Sequence, residues 1–562
     1  MALADLDGDG DLDVVVNEVN RPASVYRNDA VASRVAVRLR GLPPNTRAVG
    51  ARIRVQGGPV AWQQQEIQAG GRYLSSDEPV RTFAAGTNGA ALRIEVLWRD
   101  GSESVVEDVR GGRVYEVFQQ GARPATKGGG LPPAPKALME EVGGSLPHRH
   151  VEVDFDDFAR QPSLWRKQSQ AGPAVAWADL DADGRVDLVV GTGRGGAVTC
   201  FRNLGDWRME RWTNGLARRV SRDVGGLVSW QDGDGGVALI ASLSNLEGEP
   251  GEPGSIVRLS PATGKVSDAL PPQESEPGAL AMGDVDGDGD LDLLVAGRGV
   301  PGRYPEPGVT RLWLATGNGW VADEEANQVM KDAGIVQGAT MADMDGDGFP
   351  ELVAAVEWGP VRVYRRGVSG PWREVTADWG FAGATGLWFG VVVVDADGDG
   401  RLDVVASNWG TNTEWSAASQ GPWRIHAGDI EGGGGVEMVL GWTDGGGREW
   451  PFMHWGRASQ VLPTWAAQWR SHREFAALEL PALLGERGKG LRVLEAATLE
   501  SSVFLRRGER FERRALPFAA QAAPGMGLAV ADFDGDGADD VFMAQNFSAT
   551  DVESDAANGG VG

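Results

Sequence analysis

The sequence predicts an all-β protein, most of it a β-propeller, and three observations lead to this prediction. Glycine is abundant, with 82 residues in 562, against roughly 40 for a typical chain of this length. An acidic nine-residue pattern recurs, and each copy runs into an apolar stretch rich in β-branched residues. From residue 179 the first copies, intact or eroded, start 51, 54, 59 and 52 residues apart. A period near 50 residues is typical of a four-stranded propeller blade, so we expect about seven such blades.

The charge of the chain is concentrated in the repeated pattern. The formal net charge is −26, and the six intact copies hold 27 carboxylates and two arginines. The rest of the chain is therefore almost neutral. The closely spaced acids of the repeated pattern are expected to be neutralised by bound cations. The sequence has no basic footprint of the kind that binds nucleic acid. It also lacks an apolar run approaching the roughly 18 residues of a membrane span.

The repeated pattern is Asp-x-Asp-x-Asp-Gly-x-x-Asp/Glu, and its chemistry predicts calcium. Carboxylates at positions 1, 3 and 5 can converge only in a sharp turn, which the glycine at position 6 permits. Position 7 then supplies a backbone carbonyl, and position 9 a further carboxylate. Such a set of hard, flexible oxygen ligands suits Ca²⁺ better than Mg²⁺ and lacks the nitrogen or sulfur typical of zinc sites. Two eroded copies, at 230–238 and 429–437, are expected to bind weakly or not at all.

The predicted metal ligands occupy positions 1, 3, 5, 7 and 9 of the six intact copies. They are Asp5, Asp7, Asp9, Asp11, Asp13, Asp179, Asp181, Asp183, Arg185, Asp187, Asp284, Asp286, Asp288, Asp290, Asp292, Asp343, Asp345, Asp347, Phe349, Glu351, Asp395, Asp397, Asp399, Arg401, Asp403, Asp532, Asp534, Asp536, Ala538 and Asp540.

Two other interpretations of the pattern fit the residues less well. An EF-hand loop begins in the same way but needs a glutamate at position 12 and flanking helices. Position 12 here is Val, Ala or Met, and the flanks are strand formers. Acidic turns without an ion would leave four or five like charges close together in six regular copies, which favours the calcium interpretation.

These loops, with their strand flanks and spacing, resemble the FG-GAP/VCBS repeats of integrin-alpha-like propellers. The resemblance covers 1–30 and about 150–562, and it implies calcium in the hairpin between adjacent strands of a blade. The segment 45–117 resembles the ASPIC/UnbV domain, which accompanies such repeats in cartilage acidic protein and in many bacterial exported proteins. The matching stretches are ValGlyAlaArgIleArgVal at 49–55, GlnAlaGlyGlyArgTyrLeuSerSerAspGluPro at 68–79 and IleGluValLeuTrpArgAspGlySer at 94–102.

The domain organisation follows from these patterns. We expect 1–30 to be the last part of a truncated upstream FG-GAP propeller, the alternative being that it completes the open last blade. Residues 31–120 are predicted to form a small ASPIC/UnbV β-sandwich, with alternating Leu92, Ile94, Val96 and Trp98 on its apolar face. A Gly/Pro-rich linker at 121–146 precedes a C-terminally truncated propeller at 147–562. Nearly all helix is expected in an insertion at about 443–490.

No residue pattern in the sequence supports catalysis. His148 and His150 share a face, but no neighbouring pattern completes a zinc triad. The stretch GlyThrGlyArgGlyGly at 191–196 resembles a dinucleotide loop, yet a strand rather than a helix follows it. Cys200, the only cysteine, is predicted to be buried in a strand. We therefore expect that the protein is not an enzyme.

The predicted function is that of a calcium-binding extracytoplasmic module for binding, adhesion or scaffolding, secreted, periplasmic or at the cell surface. Its partner would be a protein or a glycan, and the oligomeric state is left open. The alternative is a calcium-dependent carbohydrate-binding or carbohydrate-active protein that uses a tryptophan-rich face between 408 and 470. Exposure of those tryptophans around a concave pocket would distinguish the two.

Overall fold

The chain divides into two compact units, Met1–Ala137 and Leu138–Gly562, in a computed structural model. The structure describes the whole chain except residues 1, 5, 7–11, 17–23, 29–32, 60–61, 68–70, 73–74, 77–79, 87–90, 125–145, 171, 207, 214–215, 217–219, 232–235, 250, 318, 368–369, 534–538, 548–556 and 559–562. Strands dominate both units.

The first unit contains a two-sheet sandwich with one core, as predicted. One sheet has the order β13-β11-β10-β5-β6 and the other β12-β4-β9. Residues of both sheets, such as Val37 on one and Ile53 and Ile94 on the other, are fully buried in the shared core. The strands are β4 (Arg34–Arg40), β5 (Arg52–Gln56), β6 (Trp62–Glu66), β9 (Val80–Ala84), β10 (Leu92–Leu97), β11 (Ser102–Val109), β12 (Arg113–Phe118) and β13 (Arg123–Pro124), and a separate pair is β7 (Gly71–Arg72) with β8 (Ser75–Ser76).

The predicted alternation and turn of this sandwich are both confirmed. Leu92, Ile94, Val96 and Trp98 are each at most 2% exposed. The β10–β11 hairpin turns at Gly101, whose φ of +83° is the left-handed backbone that glycine adopts without steric cost. Upstream, β1 (Ala2–Ala4), β2 (Asp13–Val16) and β3 (Ser24–Tyr26) form a three-stranded antiparallel sheet.

The second unit is a succession of small antiparallel sheets of the kind that form propeller blades. Four sheets take their strands in chain order: β14-β15-β16-β17, β18-β19-β20-β21, β22-β23-β24-β25 and β26-β27-β28-β29, with β30 added to β27. Their bounds are β14 (Val175–Ala178), β15 (Asp187–Val190), β16 (Thr199–Asn203), β17 (Met209–Trp212), β18 (Val224–Gln231), β19 (Val237–Leu243), β20 (Ser255–Leu259), β21 (Val266–Asp268), β22 (Pro277–Gly283), β23 (Asp292–Gly297), β24 (Arg311–Thr316), β25 (Gly319–Ala322), β26 (Ile335–Ala342), β27 (Glu351–Gly359), β28 (Arg362–Arg365), β29 (Arg373–Glu374) and β30 (Gly386–Leu387).

The next sheet is interrupted by an insertion that includes another sheet. Its order is β31-β32-β37-β38, so residues 407–501 lie between its second and third strands. Those residues contribute the sheet β35-β34-β33-β36, and a last sheet, β39-β40-β41, follows. The bounds are β31 (Val391–Val394), β32 (Asp403–Ala406), β33 (Trp423–Gly428), β34 (Glu437–Thr443), β35 (Glu449–Pro451), β36 (Arg492–Ala496), β37 (Ser502–Arg507), β38 (Arg510–Ala515), β39 (Gly525–Ala531), β40 (Asp540–Phe547) and β41 (Ala557–Asn558). The insertion is therefore larger than the predicted 443–490 and is partly β.

Helices are short, and their placement corrects the prediction in two respects. Among the described residues, four α-helices lie in the predicted range: α4 (Trp455–Val461), α5 (Pro463–Gln468), α6 (His472–Phe475) and α7 (Leu480–Leu484), followed by a 3₁₀ turn at Gly485–Gly490. They begin only at 455, because β34 and β35 occupy the start of the predicted helical range. Three more lie outside that range: α1 (Asp157–Arg160), α2 (Glu324–Val329) and α3 (Glu414–Ala418), of which α3 is in the earlier part of the insertion. The expectation that helix is nearly confined to 443–490 is therefore wrong.

Candidate metal centres

The intact acidic loops lie in hairpins between the first two strands of their sheets. The four intact loops that are fully described, starting at 179, 284, 343 and 395, connect β14 to β15, β22 to β23, β26 to β27 and β31 to β32. Strands flank every one of them, which excludes the EF-hand arrangement.

Each loop is held in a tight turn by its own carboxylates. In the loop at 284, Asp284 accepts hydrogen bonds from the backbone N–H groups of Asp288 and Gly289, at 3.1 and 2.9 Å. The carboxylate of Asp288 accepts from the N–H of Asp290 at 2.9 Å. The same bonds from positions 5, 6 and 7 recur in the other three loops. The carboxylates therefore shape the loop that brings them together.

Glycine at position 6 has the left-handed backbone that was predicted. The φ angles there run from +79° to +92°, at Gly184, Gly289, Gly348 and Gly400. Position 4 is also left-handed, at Ala182, Gly287, Gly346 and Gly398. The second left-handed position was not anticipated, although the frequent Asp-Gly-Asp-Gly sequence was a signal for it.

The acid at position 9 is buried and ties the loop to its sheet. Asp187, Asp292, Glu351 and Asp403 are at most 1% exposed. Each accepts a hydrogen bond from the N–H at position 2 of its own loop. The three aspartates also accept from an N–H on the third strand of the sheet, donated by Asn203, Ala315 and Arg506. Arg506 follows the insertion, so this bond confirms that β37 is the third strand of the interrupted sheet.

Carboxylate oxygens converge in all four loops, though not always from the same positions. In two loops the acids at positions 1, 3 and 9 place oxygens within 4.8 Å of one another, namely Asp179, Asp181 and Asp187, and Asp284, Asp286 and Asp292. In the other two the converging acids are at positions 1, 3 and 5, namely Asp343, Asp345 and Asp347, and Asp395, Asp397 and Asp399. These clusters could hold metal ions.

The acidic clusters fit a hard cation, because burial makes the ionised form of several of their carboxylates unfavourable. Burial raises the pKa of Asp292 to about 6 and that of Glu351 to about 7. Burial also raises the pKa of Asp286 and of Asp403. Oxygen Oε1 of Glu351 is buried without a hydrogen-bond donor. A divalent cation would relieve this desolvation and repulsion, and the carboxylates supply only oxygen ligands.

The arginines that pair with the loop acids differ from one loop to the next. Arg365 lies 2.5 Å from Asp345 and 2.9 Å from Asp347. Arg507 contacts the loop at 395, with Nη2 at 2.6 Å from Asp397. Arg202 lies 3.2 Å from Asp181 in the loop at 179. Among the ion pairs of the described residues, none involves an acid of the loop at 284; Arg366 acts on Asp286 electrostatically without forming an ion pair.

The remaining predicted ligands fall into two groups. In the first loop, Asp5, Asp7, Asp9 and Asp11 lie outside the described residues, and Asp13 begins β2. In the last loop, Asp534, Asp536 and Ala538 lie outside them as well. The described part of the last loop keeps the common pattern, since the N–H of Phe533 donates to Asp540 at 3.0 Å. At position 7, the side chains of Arg185 and Arg401 pair with the position 5 acids Asp183 and Asp399. Their predicted carbonyl role, and that of Phe349 and Asp290, stays a prediction.

The eroded loop at 429–437 keeps the turn and redirects an acid. Gly432 and Gly434, at positions 4 and 6, have φ of +79° and +80°. The carboxylate of Glu431 accepts hydrogen bonds from the N–H and the hydroxyl of Thr464, at 2.9 and 2.6 Å. Thr464 belongs to α5, so the acid at position 3 holds the helical part of the insertion. Residues 232–235 of the other eroded copy lie outside the described part of the chain.

The tryptophan-rich stretch is part of the core. Trp409, Trp415, Trp423 and Trp465 are at most 5% exposed. Trp415 stacks on Trp423 with ring centroids 4.4 Å apart. Trp442, Trp450, Trp455 and Trp469 are half-buried. The prediction that these rings pack in sheet cores and against the insertion is confirmed for the four buried ones.

Cys200 and His148, which the sequence analysis also discussed, pack against neighbouring residues of the sheets. Cys200 lies in β16, 4% exposed, and burial raises the pKa of its thiol to about 12. The ring of His148 packs edge-on against Phe201. An open pocket of about 440 Å³ is lined in part by Glu276 and Arg298, which pair with each other at 2.7 Å.

One further acidic cluster was missed by the sequence analysis. Glu152, Asp223 and Glu247 also place carboxylate oxygens within 4.8 Å of one another. They are 71 and 24 residues apart, so no local spacing could have shown that they meet. In the described part of the chain, no helix is long and apolar enough to cross a membrane.

Comparisons with known proteins agree with these observations. The ASPIC and UnbV family model matches residues 41–124, and the FG-GAP-like repeat model matches 284–354 and 343–406. No curated protein sequence matches the chain significantly. A crystal structure of BBS1N in complex with ARL6DN, soaked with lead, aligns over 64% of this chain and 86% of its own, with 10% identity and a TM-score of 0.26. A similarity of that size supports no structural argument. The two family matches, together with the sheets and hairpin loops, show a chain that combines an ASPIC/UnbV domain with a β-propeller of FG-GAP-like repeats.

Proposed function

We propose that this chain is a calcium-binding extracytoplasmic β-propeller protein that acts as a binding, adhesion or scaffold module and not as an enzyme. The observation that supports it best is the recurrence of one loop geometry: four described hairpins each bring three carboxylates within 4.8 Å. Oxygen-only ligands in a flexible loop suit Ca²⁺. Calcium then holds together the two strands that flank each intact loop and keeps the surface of those blades rigid for a partner.

The affinity usual for extracellular calcium modules supports the proposed extracytoplasmic setting. Extracellular calcium modules bind with dissociation constants of roughly 10⁻⁴–10⁻³ M, which matches calcium levels outside the cytosol. A site filled at about ten times its dissociation constant adds roughly 1.4 kcal/mol to the free energy of unfolding. Several such sites together are comparable with the whole stability of an ordinary domain.

The calcium part of the proposal is tested by scanning calorimetry of the full chain. The melting temperature should rise between EGTA and millimolar calcium, and magnesium should restore little of the increase. An unchanged melting temperature would overturn the structural role of calcium.

The partner part is tested by exposing the full chain to arrays of glycans and of extracellular proteins, with calcium and with EGTA. We expect the chain to bind a protein or glycan ligand in calcium and to lose that binding in EGTA. Any glycan that it binds should remain uncleaved. Absence of retention from both arrays in calcium would contradict a binding module. Cleavage of a glycan would contradict the non-enzymatic role. The burial of Trp409, Trp415 and Trp423 gives the alternative sugar-binding face no support.

A further inference from the structure

Glu152, Asp223 and Glu247 meet at the end of the sheets opposite the acidic loops. The acidic loops join first strands to second strands. Glu247 follows the second strand β19, and Asp223 immediately precedes the first strand β18. In an antiparallel sheet these positions lie at the other end. Glu152 comes from the extended segment before α1, and the three side chains place oxygens within 4.8 Å of one another.

Glu247 is buried without the hydrogen bonds that a carboxylate needs. Its side chain is only 4% exposed. Neither of its carboxylate oxygens has a hydrogen-bond donor. Nε of Arg194 lies 3.1 Å from Oε2, close enough for an ion pair, but this N–H makes no hydrogen bond. Arg194 therefore supplies charge nearby while leaving both oxygens of Glu247 free to bind another group.

The charges of the cluster do not balance. The three carboxylates have one guanidinium, that of Arg194, and one imidazole, that of His150, as ion-pair partners among the described residues. With the imidazole neutral, two negative charges remain in a largely buried place, where uncompensated charge is costly. Burial, and next the neighbouring Asp223, raise the pKa of Glu247 to about 8. One bound proton would neutralise only one of the two excess charges, whereas one divalent cation would neutralise both.

A glycine in the loop between β15 and β16 makes room for Glu152. A Cβ on Gly193 would lie 1.8 Å from Oε2 of Glu152. Gly193 belongs to the GlyThrGlyArgGlyGly stretch at 191–196, and the same stretch supplies the backbone N–H of Arg194, which donates to Asp223 at 2.7 Å. His150 Nε2 lies 3.3 Å from Glu152. The glycine-rich loop thus packs around the acids and leaves space for the carboxylate of Glu152.

We propose that Glu152, Asp223 and Glu247 form a divalent-cation site that is separate from the FG-GAP loops. Carboxylate oxygens select hard cations such as Ca²⁺, Mn²⁺ or Mg²⁺. Bound there, the ion links the segment before α1 to the sheet β18-β19-β20-β21, because its three ligands come from that segment and from the ends of β18 and β19.

Hydrogen exchange measured by mass spectrometry tests this site separately from the loops. The full chain is compared without metal and with Ca²⁺, Mg²⁺ or Mn²⁺ at neutral pH. In the wild type, at least one of these ions should slow exchange severalfold in peptides covering 151–156 and 244–249. That protection should be lost in Glu247→Gln, while the protection of 284–292 by calcium stays.

Two further variants keep the test decisive if Glu247→Gln folds poorly. Gly193→Ala displaces the flexible carboxylate of Glu152 without removing an acid and should also abolish the protection. Glu249→Gln alters an exposed acid in the same loop and should leave the protection unchanged. The proposal is overturned if none of the ions protects these peptides in the wild type, if protection depends on pH alone, or if it survives in both Glu247→Gln and Gly193→Ala.

Discussion

The intact loop at 284–292 and the eroded loop at 429–437 have similar left-handed turns but different means of stabilisation. In both, glycines at positions 4 and 6 are left-handed. In the intact loop, Asp284, Asp286 and Asp292 converge within 4.8 Å. In the eroded loop position 5 is Gly433, and Glu431 bonds Thr464 of the insertion instead. The left-handed positions 4 and 6 are therefore common to both turns, and the carboxylates determine whether the loop can hold an ion.

The surroundings of the two loops explain why the eroded one tolerates the loss. Ile430, at position 2, is 1% exposed and packs with Leu462 and Trp465 of the insertion. A side chain of the insertion, Arg487, donates to the carbonyl of Ile430. Protein contacts from the insertion thus stabilise this hairpin without an ion. The loop at 284 is also packed at position 2, where Val285 is fully buried, and Trp320 donates to the carbonyl of Leu291. It differs in that, among the ion pairs of the described residues, no arginine pairs with its acids.

The largest expected effect is that of Asp292→Ala, because this acid is both a candidate ligand and a structural acceptor. Its carboxylate accepts from the N–H of Val285 at 2.8 Å and of Ala315 at 2.7 Å. Unsatisfied buried donors cost about 1–3 kcal/mol each, so with two donors we expect a loss of about 2–6 kcal/mol even without calcium. Urea unfolding followed by tryptophan fluorescence measures it. Asp290→Ala, at an exposed acid of the same loop, should change stability by no more than about 0.5 kcal/mol. Equal effects would contradict the account.

The second prediction concerns pH. Without calcium, the raised pKa values of Asp292, about 6, and of Glu351, about 7, mean that the folded state binds protons more tightly than the unfolded state. Ionising these acids therefore costs stability as the pH rises from about 4 through these values. Calcium binds the ionised form and offsets that cost. The rise in melting temperature on adding calcium, in resin-treated buffers, should be small near pH 5 and larger near pH 8. Glu351→Gln should reduce this pH dependence, and an increment that is constant or falls with pH would contradict the prediction.

A matched pair of substitutions at position 3 separates the two loops directly. Asp286→Ala should remove the contribution of its site, about 1.4 kcal/mol at ten times the dissociation constant, and should not destabilise the calcium-free protein, since it relieves repulsion. Glu431→Ala should leave the calcium increment intact while weakening the contact with Thr464. Calorimetry with and without calcium measures both. A calcium increment that fell only in Glu431→Ala would reverse the assignment.

The smallest effect is expected from Arg365→Ala. Arg365 pairs with Asp345 and Asp347, so it competes with a cation for the same oxygens. An ion pair of this kind is worth about 1 kcal/mol, and its removal should tighten calcium binding at this loop about fivefold. Titration calorimetry should detect the change. The control is Arg362→Ala on the same strand as Arg365, which removes an ion pair with Glu374 and no ion pair with a loop acid. Weaker binding in Arg365→Ala would show that the arginine supports the site.

Local patterns predicted much of this molecule. The alternation at 92–98 predicted a buried sandwich face, and the position 6 glycines predicted the turn. Spacing could not show that residues 407–501 are inserted between β32 and β37, since strand order depends on pairing across the insertion. Spacing also could not predict that Glu152, Asp223 and Glu247 lie close together, because their proximity depends on how the sheets are arranged.

The most direct test of the central claim is a crystal structure grown in millimolar calcium, with anomalous scattering used to locate the ions. We predict calcium peaks coordinated by Asp284, Asp286 and the other converging acids of the intact loops, the strongest at 284–292, and no peak at 429–437. Absence of calcium from every intact loop, or equal occupancy of the eroded loop, would contradict the account.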